Sequence, residues 1–168
     1  CVDQYLQKTE VAMFGVQSLN KKVDGMYCTP EEVPHLITSG SILNLQLFKK
    51  IGPFDEALFI DKVDHEYCLR ARSKSYKIVR FNNIYLNHNL GTIKYGRSLK
   101  NFKLTPRVLH SPVRMYYIFR NYFYLKKKFP DQFKEEFREL KKENWIRSKN
   151  NFLYGNKKLQ LIGYLLRA

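Results

Sequence analysis

Cysteine is scarce in this chain: Cys1, Cys28 and Cys68 are the only three, an odd number at wide spacing. No two stand as Cys-x-x-Cys, which argues against a structural zinc site. Their spacing predicts reduced thiols and an intracellular chain. No run approaches the ~18 apolar residues of a membrane-spanning helix, and the opening residues carry no signal-peptide pattern. The chain opens on Cys1 in place of Met, so a fragment or processed product is expected. Disorder is argued against by 44% hydrophobic and 15% aromatic content. The 168 residues suffice for one domain with a core, plus an appendage. Acidic residues are the other shortage, 15 against 30 Lys and Arg, for a net charge of +15.

The scarce acids are clustered. Asp55, Glu56, Asp61, Asp64 and Glu66 all lie between Phe54 and Arg70. Like charges repel, so this island in a basic chain needs a reason. Val63, Tyr67 and Ala71 recur at helical spacing with Cys68 beside them, which predicts a helix with a buried stripe. Asp61 and Asp64, three apart, are placed to share a side near its N-terminus, where the macrodipole favours carboxylates. The pattern leaves two readings: capping and first-turn acids, the commoner role, or carboxylates set for proton transfer.

The positive charge is uneven as well. Residues 101–168 hold 16 Lys and Arg against 5 acids, a net of +11, whereas residues 1–100 hold 14 against 10, a net of +4. The pattern along the chain predicts a helix tail over residues 1–10 and a buried strand over Val11–Val16. A loop follows over Lys21–Pro34, then a strand-like His35–Thr38 ending at Ser39-Gly40-Ser41 and a helix over Leu45–Lys50. Tyr76–Phe81 and Ile84–His88 read as two strands joined at Asn82-Asn83. Ser111 and Pro112 open a helix with a broad aromatic face, broken at Pro130-Asp131. A second amphipathic helix follows over Gln132–Lys149, and Gly155 precedes a last apolar segment from Leu159 to Leu166.

Several spaced motifs, in order, resemble the acceptor-side half of bacterial family 2 glycosyltransferases, and most closely the rhamnosyltransferase-like group. They are Thr38-Ser39-Gly40-Ser41, Lys50-Ile51-Gly52-Pro53-Phe54-Asp55-Glu56, Leu58-Phe59-Ile60-Asp61 and Val63-Asp64-His65-Glu66-Tyr67-Cys68-Leu69-Arg70. His88-Asn89-Leu90-Gly91, His110-Ser111-Pro112, Arg114, Tyr116-Tyr117 and Arg120-Asn121 continue the likeness. The resemblance implies an α/β fold: a partial GT-A domain over residues 1–105, lacking its nucleotide-binding half, followed by a basic helical extension over 106–168. It implies an inverting transfer of a sugar such as rhamnose, from a nucleotide-diphosphate donor to a cell-surface polysaccharide or lipid-linked acceptor.

In such a transfer a carboxylate takes the proton of the attacking hydroxyl. Alignment to the family's paired acidic motif gives Asp64 this role, with Asp61 as second candidate. Val63 stands where many relatives carry a preceding Glu, a form typical of the rhamnosyltransferase-like subgroup. The resemblance places Ser39, Gly40, Glu66, Arg70, Arg114 and Arg120 at the substrates, and His88 at a divalent metal or the diphosphate. The family holds Mg²⁺ or Mn²⁺ with an Asp-x-Asp motif, and this sequence contains none. The 168 residues alone are therefore expected to be inactive. The basic, aromatic C-terminal third predicts docking on an anionic membrane, at the inner, cytoplasmic face. Without an RNA-binding motif, no nucleic-acid partner is expected. The alternative from another class is a non-catalytic module that binds a glycan or a membrane surface.

Overall fold

The charge-free run from Val11 to Ser18 has no polar side chain before Gln17, which suits a strand covered on both faces. In the computed structural model, which describes residues 1–5, 10–18, 27–87, 92–97 and 102–168, it forms β1 (Val11–Ser18). The fold is mixed α/β, with five α-helices among the described residues. Two compact units arise: Cys1–Leu58 with Val63–His88, and Phe59–Lys62 with Asn89–Ala168.

In the first unit β1 runs parallel to β4 (Lys77–Leu86), which pairs antiparallel with β2 (Pro30–Glu32). On its other side β1 pairs antiparallel with β3 (Ile42–Leu43), giving the order β2-β4-β1-β3. One core cluster joins Ala12, Met13 and Ile78 to Leu47 and Ile51 of α1 (Leu45–Ile51) and to Tyr67, Cys68 and Ala71 of α2 (Val63–Ser73). A second joins Val11, Phe14, Val79 and Phe81, with Cys1 and Cys28 packed against it. Those two cysteines form a disulfide, their Cα atoms 5.4 Å apart. This corrects the reading of three reduced thiols: 27 residues of sequence separation do not report distance in space, and only Cys68 is free, and buried.

Three further expectations change. His35–Thr38 is not a strand; Leu36 instead fills the space that Gly15 leaves, where a Cβ would lie 2.7 Å from Leu36 Cδ1. Within the expected loop, Pro30–Glu32 forms an edge strand, with Pro at its first position, where no ladder donor is needed. The two strands expected about Asn82-Asn83 are one strand with a slip in register beside Val16 and Gln17. There the asparagines pair laterally rather than turning: Asn82 N–H donates to Thr29 O, and Thr29 N–H to Asn83 Oδ1. At the chain's start the described part holds a single 3-10 turn, Asp3–Tyr5, where a helix tail was expected.

The second unit holds an antiparallel hairpin, β5 (Thr92–Arg97) and β6 (Leu104–Leu109), and helices α3 (Pro112–Lys128), α4 (Lys134–Tyr154) and α5 (Lys158–Leu165). Ser111 caps α3, its Oγ accepting from the Arg114 N–H at 3.2 Å, and Pro112 supplies the preset φ of a first turn. Met115 and Ile118 of α3 pack with Leu161 of α5. Tyr154 of α4 donates from its hydroxyl to Arg97 O at 2.7 Å, and its ring covers Gly96 closely. The hairpin therefore packs with the helices, and it spans residue 105.

Candidate active site

Within the second unit, the short segment Phe59–Lys62 is held to α3. Arg114, Ile118 and Asn121 recur at helical spacing, so one face of α3 carries a cation, an apolar residue and an amide. Arg114 donates from Nε to Asp61 Oδ2 at 2.9 Å and from Nη2 to Oδ1 at 3.1 Å, a bidentate pair. Both carboxylate oxygens of Asp61 are thereby engaged. The bond to Asp61 raises the Arg114 pKa, against a smaller desolvation effect. Asn121, fully buried, donates from Nδ2 to Ile60 O at 2.7 Å and to Asp61 O at 2.8 Å. Its Oδ1 accepts from Arg120 Nη1 at 3.0 Å. The Phe59 ring lies 5.5 Å from that of Tyr117. These anchors hold Asp61 and Lys62 in the left-handed region, at φ 63° and 68°, a strain of about 1 kcal/mol per residue for side chains of this kind.

Beside Ser111, His110 donates its backbone N–H to Asn151 Oδ1 at 3.0 Å, and Asn151 Nδ2 donates to Arg147 O. The His110 pKa is lowered, first by burial and then by the positive charges of Arg114 and Arg147, with Asp61 opposing. A cleft of about 270 Å³ opens here, lined by His110, Ser111, Pro112, Asn151, Lys157 and Leu161 among others.

The other sequence-derived candidates lie in the first unit. Asp64 is half-buried in the first turn of α2, its Oδ1 accepting from the His65 N–H at 2.9 Å. Its second oxygen accepts no hydrogen bond among the described residues. Glu66 is fully buried and takes Arg70 bidentately, both contacts at 2.9 Å. Arg70 also donates to Ile51 O at 2.8 Å and to Pro53 O at 2.6 Å, tying α2 to the turn at Gly52, whose φ is +100°. Glu66 and Arg70 thus stand in a structural clamp. Gly40 sits at φ +71° in a turn closed by the Ser41 N–H and hydroxyl, both donating to Thr38 O; Ser39 beside it is exposed.

Asp61 and Arg114 are thus brought into contact, with Arg120 joined to them through Asn121. Asp64 and the Glu66–Arg70 pair lie together on α2 of the other unit, which also holds the Ser39-Gly40 turn. Sequence reasoning missed the part Asn121 plays; its place seven residues after Arg114 was the available signal. It also missed the buried Tyr67 hydroxyl, which has no hydrogen-bond partner among the described residues and whose pKa is pushed to about 12 by burial. His88 lies outside the described residues. Among the described residues no three His, Cys, Asp or Glu side chains cluster as a metal site needs. No helix among them is long and apolar enough to cross a membrane.

Over 100 residues the chain is 36% identical to the dTDP-rhamnosyl transferase RfbF of Shigella flexneri; the match covers 60% of this chain and 32% of that protein. The chain thus spans about a third of the length of this curated relative. No family model matches the chain, and no solved structure does. The likeness supports a relationship to glycosyltransferases.

Proposed function

We propose that this chain is the acceptor-side part of an inverting glycosyltransferase with a GT-A fold. It moves a sugar, rhamnose from a deoxythymidine diphosphate donor, onto a polysaccharide precursor or lipid-linked acceptor at the cell membrane. The observation that carries the reading is the 36% identity to a rhamnosyl transferase, in a chain that also bears the ordered acidic and basic motifs.

Asp64 is the general base. Its carboxylate takes the proton of the acceptor hydroxyl as that oxygen bonds to the anomeric carbon, while the bond from this carbon to the diphosphate breaks on the opposite face. A positioned base of this kind contributes about 10²–10⁴-fold to rate. Among the described residues Asp64 makes one local hydrogen bond, which leaves its second oxygen for a hydroxyl. Asp61 is held by Arg114 and shapes the chain before α2, so Arg114 serves a positioning role rather than contacting phosphate. By the resemblance, Ser39, Gly40 and Arg120 are assigned to substrate binding. A divalent ion would neutralise the leaving diphosphate in the intact enzyme, with His88 beside it.

The test is a transfer assay with a panel of nucleotide sugars. A polypeptide joining this chain to a nucleotide-binding half transfers rhamnose from its deoxythymidine diphosphate ester, and the 168 residues alone transfer nothing. Transfer from another donor would overturn the choice of sugar, and turnover by the isolated chain would overturn the partial-domain reading.

A further inference from the structure

The last 25 residues, 144–168, contain Arg147, Lys149, Lys157, Lys158 and Arg167 and no Asp or Glu. Within this stretch α5 is apolar on two sides. Leu161 and Leu165 turn inward to Met115 and Ile118. Leu159, Ile162 and Leu166, at i, i+3 and i+7, are 86%, 43% and 84% exposed. Lys157 and Lys158 stand at one end of this outward stripe and Arg167 at the other. The patch continues onto α4: Lys158 Nζ lies 5.8 Å from the half-exposed ring of Phe152. Seven residues before Phe152, and so on the same face of α4, Trp145 is 71% exposed.

We propose that the outward stripe of α5, with Phe152 and Trp145 of α4, is a docking face for an anionic lipid bilayer, the aliphatic side chains entering the headgroup boundary and the cations meeting lipid phosphates. Leucines flanked by basic residues, with an interfacial tryptophan nearby, have the chemistry of a helix lying in the membrane surface. A second copy of the chain is a poor occupant, because face-to-face contact would set Lys157, Lys158 and Arg167 against the same three cations of the other copy. Nucleic acid would meet the charge but leave the aliphatic stripe in water, since bases stack on aromatic rings. Docking requires no sugar transfer, so loss of one leaves the other standing.

Trp145 is the sole tryptophan and reports the contact directly. With vesicles of phosphatidylglycerol in phosphatidylcholine, the 168-residue chain cosediments and its emission shifts to the blue. With phosphatidylcholine alone it does neither. Leu159→Gln with Leu166→Gln weakens partition about tenfold or more, and Lys157→Gln or Lys158→Gln weakens it about fivefold each. The leucines are exposed, so unchanged circular dichroism confirms that the doubly substituted chain still folds. Four results would overturn the proposal: no binding to anionic vesicles, equal binding to neutral ones, anionic binding unaffected by the leucine changes, or a self-associated state that those changes dissolve.

Discussion

Asn121→Asp changes one atom of a buried side chain and removes both donors that hold the Phe59–Lys62 segment. In the native chain Asn121 Nδ2 donates at 2.7 Å to Ile60 O and at 2.8 Å to Asp61 O. The carboxylate sets an acceptor against both carbonyls. Each orphaned carbonyl costs about 1–3 kcal/mol. Two offsets apply. Arg120, 3.0 Å from the Oδ1, gains a charged partner, and Asp61 and Lys62 are released from left-handed strain of about 1 kcal/mol each. The net expectation is a loss of about 2–3 kcal/mol, a fall in Tm of roughly 5–10 °C for a chain of this size. Urea unfolding followed by far-ultraviolet circular dichroism measures it. A loss below about 0.5 kcal/mol, the range of ordinary surface changes, would show that Asn121 does not anchor the segment.

Glu66→Gln breaks the buried bidentate pair with Arg70 and is expected to cost about 3 kcal/mol in the same assay; a cost under 1 kcal/mol would place that clamp elsewhere. The lowered pKa of His110 gives a pH dependence. Between its folded value and the ordinary 6.5 the unfolded chain binds a proton that the folded chain does not. Stability is therefore intact above that range and falls as pH drops through it; His110→Gln flattens this slope in thermal melts taken across the range. Mass spectrometry after alkylation labels no cysteine in the native, unreduced chain and one, Cys68, after denaturation, whereas three labels would rule out the Cys1–Cys28 bond.

Much of the fold was legible because local signals agreed with one another. The Val11–Val16 run, the Ser111-Pro112 start and the Val63–Tyr67–Ala71 spacing each named their element within a few residues. What failed depended on distant partners. Leu36 finds its place only because Gly15 opposite has no side chain, Pro30–Glu32 becomes a strand only beside Val79–Phe81, and Cys1 meets Cys28 through the fold of the sheet's flank. The hairpin of β5 and β6 went unread because Gly96 and Pro106 stand inside its strands and read as breakers. In the site, the sequence put Asp61 and Arg114 on the same roster without joining them. The pairing needs two left-handed residues in a row, which no propensity favours at an Asp-Lys step.

The role of Asp64 as the base is tested most directly by Asp64→Asn in a protein that contains this chain together with a donor-binding half. Turnover should fall about 10²–10⁴-fold, with the dissociation constant for the nucleotide sugar unchanged. Turnover within a few-fold of the unsubstituted enzyme would remove Asp64 from the reaction.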